Sequence, residues 1–348
     1  MDISVESRCK GLELVGLWPA NDETVRNRFT SDLRLAIIFV VVTIISGVPL
    51  VCALVRVWGD MLLMIDNIQI TLPLLVVSLK LGVMRWKRPA LLSILNMMAQ
   101  DWMESKTTKE RDVMIERAQI ARTIVMSGYV LMILAFVVVI VLPYFGFSLR
   151  RLTNLTDLSR PLPLQTYYFY DVDKSPQFEL TFIVQAVTIL LSAATYTSVD
   201  AFLGLAILHF SGQLEIFKNR IAVLTSCQSF ICALSNNVAK HLRLIKFAKI
   251  IEDTFTLMML SLVLYFAILF CLHGFLLLTC ERVYRAMCEL EWYKLKSKHA
   301  RTLILLMIRA NQPFRITAGK IFPLTMTTFC SLLKTSGGYI SFLLAKQG

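Results

Sequence analysis

Six apolar runs, at residues 33–57, 61–84, 120–147, 180–209, 254–279 and 318–344, dominate the chain. Each reaches the ~20 residues that a helix needs to cross a bilayer. With 56% apolar and only 17% charged residues, the chain is richer in the first and poorer in the second than a soluble domain. One membrane domain is the natural reading of its 348 residues. The expected fold class is therefore all-α, a polytopic transmembrane helical bundle.

The cations orient it. Lys and Arg concentrate before the first run (Arg8, Lys10, Arg26, Arg28), between the second and third (Arg85, Lys87, Arg88, Lys106, Lys109, Arg111, Arg117), and between the fourth and fifth (Lys218, Arg220, Lys240, Arg243, Lys246, Lys249). The positive-inside rule makes these segments, and the N-terminus, cytoplasmic. The fifth run then exits outward, yet residues 280–317 carry Arg282, Arg285, Lys294, Lys296, Lys298, Arg301, Arg309 and Arg315. One further span between the fifth and sixth runs would restore the rule. The chain reads as a seven-span protein with six spans visible.

The expected organisation is a cytoplasmic segment 1–32, then spans one to five over 33–279. Within these lie an outer loop 148–179 and inner helical loops 85–119 and 210–253. A basic amphipathic segment 280–317 precedes the last span, 318–348. Apolar residues recur at helical spacing through 213–255 and 282–308. Such stretches are either inner extensions of spans that pack together or helices lying on the membrane surface. No short apolar core precedes a cleavage site in the first thirty-odd residues, so the first span is expected to act as its own insertion signal.

Several polar residues sit in or beside the runs. Asp66, Asn67 and Gln69 open the second span on its outer side, and Lys80 is expected to snorkel toward the inner face. Asp200 in the fourth run and Lys334 in the last are costly unless paired or hydrated, and a structural pair is the expectation for Asp200. The outer loop holds Tyr167, Tyr168, Phe169 and Tyr170 and the sequon Asn154-Leu155-Thr156, a glycosylation candidate at Asn154. The last run carries Thr325, Thr328, Ser331, Thr335, Ser336, Gly338 and Ser341, which suits either a pore lining or close helix packing.

The formal charge of +12 lies in loops flanking apolar runs rather than on one soluble surface, which argues against nucleic acid. Catalytic patterns such as HExxH, GxSxG, a P-loop or a Rossmann glycine turn are missing, and His209, His241, His273 and His299 lie far apart. The eight cysteines form no CxxC pair or metal spacing. The expectation is a protein that is not an enzyme and has no cofactor and no bound metal.

Against this background the C-terminal third resembles insect odorant receptors. The resemblance rests on Ala286 through Trp292-Tyr293, on Asn311-Gln312-Pro313-Phe314-Arg315-Ile316-Thr317-Ala318-Gly319-Lys320, and on Phe329 with Leu333-Lys334-Thr335-Ser336. Gly16-Leu17-Trp18-Pro19 and Ser175-Pro176 resemble the family as well. The resemblance implies a ligand-tuning subunit of an odorant-gated, non-selective cation channel in the sensory neuron plasma membrane. Its implied partners are the family's shared co-receptor, in a hetero-oligomer of tetramer type, a volatile odorant and membrane lipid.

By position, it implies a pore and gate at Ser331, Lys334, Thr335, Tyr339, Phe342 and Lys346. The expected odorant pocket draws on the outer halves of the second to fourth spans: Met64, Ile68, Leu72, Val139, Leu142, Tyr144, Phe182, Gln185 and Ile189. Family members continue from the fifth span through an outer loop and a sixth span. Here Phe275-Leu-Leu-Leu-Thr279 runs straight into Cys280-Glu-Arg. Two further expectations follow: a truncated, non-conducting or dominant-negative subunit, and a metabotropic chemoreceptor. The latter is disfavoured because Asp-Arg-Tyr and Asn-Pro-x-x-Tyr patterns are lacking.

Overall fold

A computed structural model describes residues 16, 25–104, 107–141, 162–172, 174–224, 229–289, 301, 317–318, 322–323, 331, 334–335 and 338. The chain divides into two units, Met1–Tyr265 and Phe266–Gly348.

Helix α1 (Val25–Phe39) passes into a π-helical segment, Val40–Gly47, and then α2 (Val48–Arg56). The π segment reads Val-Val-Val-Thr-Ile-Ile-Ser-Gly. Its β-branched side chains crowd an ordinary helical turn, and the wider i→i+5 turn gives them room. Helix α3 (Met61–Trp86) holds Pro73 in its interior. Helix α4 (Arg88–Met103) carries Pro89 in its first turn, where the missing N–H is not needed.

Helix α5 (Thr108–Phe136) opens with a capping box in which Thr107 Oγ1 accepts from the Glu110 N–H and the Thr107 N–H donates to Glu110. It ends in a second β-branched π segment, Val137–Val141. Helices α6 (Gln177–Ala222) and α7 (Phe230–Glu289) follow. No proline lies between Pro176 and Pro313, so only the polar stretch at 225–229 separates them. Ser229 C=O accepts the Ala233 N–H at 3.0 Å to start α7.

The inner segment 210–253 is the continuation of α6 and the beginning of α7, the inner extension of spans that its helical spacing allowed, with no proline to end either helix. The fifth apolar run is the middle of a 60-residue helix that passes unbroken through Thr279–Cys280.

Five helical stretches among the described residues are long and apolar enough to cross a membrane: Thr30–Arg56, Leu63–Trp86, Thr108–Val141, Gln177–Ala222 and Phe230–Leu272. Side chains such as Val130, Leu131 and Leu134 on α5 and Val263 on α7 are exposed, as a lipid-facing surface requires. The core of the first unit lies where α3, α4, α6 and α7 meet, with Leu81, Met84, Ile94, Val199, Phe202 and Met258 almost fully buried.

In the second unit, β1 (Thr317–Ala318) pairs antiparallel with β2 (Phe322–Pro323), in register Thr317↔Pro323 and Ala318↔Phe322. The expected start of the last helix at Ala318 is thereby corrected, since a residue laddered to Phe322 is extended. Ser331, Lys334, Thr335 and Gly338 are helical and exposed, and Thr335 Oγ1 donates to Ser331 C=O at 2.7 Å. Most of the expected last span lies outside the described residues.

Gly16 ties the N-terminal segment to α1. Its φ is +76°, its C=O accepts Ser31 Oγ at 2.8 Å, and a Cβ there would meet Ser31 O at 2.6 Å. Gly16→Ala is expected to cost about 1–3 kcal/mol, from left-handed strain together with that clash. The measurement is the melting temperature of detergent-solubilised protein, and an unchanged value would refute the contact.

Candidate functional site at the outer mouth

Residues 162–172 form a strap that folds into the end of the bundle expected to face outward. Leu162, Leu164, Gln165 and Thr166 are buried. Two amides hold them. Asn67 on α3, fully buried, donates from Nδ2 to Gln165 C=O at 3.1 Å and accepts from Thr71 Oγ1 at 2.8 Å. Gln185 on α6, also fully buried, accepts the Leu164 N–H at 2.9 Å and donates to Thr166 Oγ1 at 2.8 Å and Tyr168 Oη at 3.4 Å.

The Tyr167 N–H reaches Pro49 C=O at 3.1 Å, and Arg56 lies 3.9 Å over the Tyr167 ring. Tyr170 Oη and Thr181 Oγ1 are 2.8 Å apart. The strap thus ties together the first, second and fourth spans, with the backbone groups of Leu164 and the N–H or C=O of Gln165, Thr166 and Tyr167 hydrogen-bonded, while the buried Gln165 Oε1 has no partner among the described residues.

Deeper down, Lys80 does not snorkel. Its side chain is fully buried, with Nζ 2.6 Å from Asp200 Oδ1 and 3.4 Å from the Tyr196 ring centroid. The correction has a simple cause: a carboxylate and an aromatic face on α6 compensate the ammonium in place, so it gains nothing by extending to the interface. Asp200 has the structural partner expected of it. Ser46 and Thr188 (2.8 Å) and Tyr129 and Ser198 (3.0 Å) complete a polar seam among the first, third and fourth spans.

Below the seam lies a belt of ion pairs. Asp101 on α4 accepts Arg243 at 2.8 Å and contacts His209 Nε2 at 3.0 Å, while Arg243 also donates to Met97 C=O. Arg117 pairs with Glu215 at 2.8 Å, Lys240 with Glu104, and Arg88 with Asp32 at 2.9 Å. Arg220 forks onto Glu110 at 2.5 and 3.1 Å. The Arg220 hydrogen bond is the main cause holding the Glu110 carboxyl below its ordinary range, outweighing burial, with Thr107 assisting. A lowered carboxylate pKa contributes stability that is present at neutral pH and lost as pH falls through the lowered value. Phe217 stacks on His241 and Phe210 on Phe247, so the inner extensions of α6 and α7 pack together.

Of the residues expected to bind ligand, Met64, Ile68, Leu72, Phe182 and Ile189 are half-buried, Gln185 is fully buried under the strap, and Val139 is 43% exposed. Leu142, Tyr144 and Asn154 lie outside the described residues, as do Tyr339, Phe342 and Lys346. Sequence reasoning did not find the strap, although Asn67 and Gln185, amides inside apolar runs, were its signal. Among the described residues no three His, Cys, Asp or Glu side chains converge as metal ligands. Gln185→Leu strips the strap of three hydrogen bonds and buries the Leu164 N–H without a partner, at about 1–3 kcal/mol. Limited proteolysis within 162–172 is expected to speed up roughly tenfold, the equivalent of 1.4 kcal/mol; unchanged cleavage would exclude the strap's dependence on Gln185.

The family described as 7tm Odorant receptor matches the chain over residues 60–281 and 276–337, two segments that meet at 276–281. Odorant receptor 13a of Drosophila melanogaster is 24% identical over 240 residues, 53% of this chain and 57% of that protein. Odorant receptor 10 of Aedes albopictus is 38% identical over 52 residues, 15% of this chain and 14% of that protein. The chain thus spans about half the length of the first relative and less of the second. The insect olfactory receptor OR5 from Machilis hrabei has a similar fold, with TM-score 0.57 at 15% identity over 98% of this chain and 97% of that chain. Its complex with eugenol gives 0.60 with the same identity and coverage.

Proposed function

The chain belongs to the insect odorant receptor family, and from that premise we propose that it is an odorant-tuning subunit of a cation channel formed with the family's shared co-receptor in the sensory neuron membrane. The observation that carries this reading is the strap at the outer mouth. It is anchored on Asn67 and Gln185, on the same second and fourth spans that carry the half-buried apolar side chains Met64, Ile68, Leu72, Phe182 and Ile189. A volatile ligand with one or two polar atoms suits such a lining. That the Machilis receptor is described with eugenol, a small aromatic compound, supports an apolar pocket here. Gln185 then acts as a positioning residue that holds the strap. The last helix, with Ser331, Lys334 and Thr335 exposed, would face the pore.

A second reading concerns conduction, and a specific pair of observations favours it. Helix α7 runs unbroken across Thr279–Cys280, and the family match falls into two segments that meet at that place. A subunit joined in this way lacks the sixth span and places the last helix in the wrong orientation for a shared pore. It would assemble through its inner helices and lower the current of the complexes it enters. Co-expression with the co-receptor tests both readings, because odorant-evoked current from a version carrying a sixth span supports the first, and dose-dependent suppression of another receptor's current by the chain as it stands supports the second.

A further inference from the structure

A cleft of about 290 Å³ opens sideways between the first two spans, where the π-helical segment and α2 face α3. Gly47, Leu50, Cys52 and Leu74 line it. Three hydroxyls also reach its wall, and all are used internally. Thr43 Oγ1 donates to Ser78 Oγ at 2.9 Å, Ser78 Oγ to Leu74 C=O at 3.0 Å, and Thr71 Oγ1 to Asn67 Oδ1 at 2.8 Å. Nothing in the cleft asks for a polar occupant, and an apolar hollow of this kind does not hold water.

Its rim is formed by Val48, Val51 and Leu75, each exposed by more than 40%, on helices long and apolar enough to cross a membrane. The opening therefore faces bilayer hydrocarbon. Gly47, which ends the π segment, lies in the cleft wall, and a Cβ there would come within 3.2 Å of Val42 O.

We propose that this cleft is a specific lipid site, holding one hydrocarbon chain of a bilayer phospholipid wedged between the first and second spans. A void left empty here would lose dispersion contacts along its whole lining. Hydrocarbon chains surround the opening at the density of a liquid, whereas a volatile reaches it only from dilute solution, so mass action favours the chain. The site is distinct from the odorant pocket proposed beneath the strap, and the inference rests on the membrane fold alone.

The test uses the full chain in phosphatidylcholine nanodiscs doped with a phosphatidylcholine bearing a diazirine in one acyl chain. After photolysis, adducts are mapped by mass spectrometry. Adducts at Val48, Val51 and Leu75 are expected severalfold above those at Leu131 and Leu134, which are more exposed and lie outside this cleft. Leu75→Trp, filling the rim, is expected to abolish that excess and leave Leu131 labelling unchanged. Val55→Trp, outside the cleft on α2, is expected to change neither. Equal labelling of all exposed side chains would reduce the contact to ordinary annular lipid and overturn the proposal. Loss of the cleft adducts on adding eugenol alone would assign the cleft to small ligands and overturn it equally. Either failure leaves the odorant reading, judged by currents, untouched.

Discussion

Asp200→Asn is expected to destabilise the protein by about 3–5 kcal/mol, because it leaves a buried ammonium without its counter-charge. Lys80 is fully buried, whereas the Asp200 side chain is 36% exposed, so the two single substitutions are not equivalent. Lys80→Met strands only a carboxylate that can still draw on water or headgroups, and its cost falls nearer the ~1 kcal/mol of a partly exposed pair. Combining them removes both charges, and the double variant is expected to recover most of the loss, since a buried ion pair replaced by neutral side chains is often neutral or stabilising by ~1–4 kcal/mol. Melting temperatures of the four proteins in detergent give the cycle. Equal effects of the two single substitutions, or a double variant worse than either, would contradict the buried pair. Tyr196, whose ring lies under the ammonium, predicts the same direction for Tyr196→Leu with a smaller loss.

The second large effect concerns conduction. Between Thr279 and Cys280 there is no turn and no outer loop, only one continuous helix. The cations from Arg282 onward then follow a span expected to exit outward, against the positive-inside rule. Inserting an apolar segment of ~20 residues, long enough to span, at this junction is expected to return those cations to the cytoplasm and the last helix to the pore orientation. The chain as it stands is expected to reach the membrane and assemble without odorant-evoked current. Glycosylation tags placed before and after the last apolar run report the sidedness directly, and the two versions are expected to give opposite patterns.

How much of this was legible in the sequence differs from element to element. The spans were legible because hydropathy is a local property, and the first five apolar runs fall on described helices, the third as far as Val141. Through 213–255 the helical spacing admitted either inner extensions of spans or surface helices, and with no proline to end them α6 and α7 continue inward. The π segments coincide with Val40–Gly47 and Val137–Val141, β-branched runs whose crowding is visible in sequence, although their wider turn is not.

Pairings across the bundle were the least legible. Lys80 and Asp200 are 120 residues apart, and Arg220 and Glu110 are 110 apart. No local pattern specifies which cation meets which anion. The strap was half-legible: an amide within an apolar run must find a partner, so Asn67 and Gln185 announced a buried polar contact without naming the loop that supplies it.

The measurement that tests the central claim most directly is whole-cell recording from cells expressing the insect co-receptor with either this chain or its version carrying the inserted sixth span, challenged with a panel of volatiles including eugenol. The account predicts odorant-evoked cation current from the inserted version and none from the chain as it stands, with both present at the cell surface. Current from the uninterrupted Thr279–Cys280 chain, or silence from both versions at equal surface expression, would contradict it.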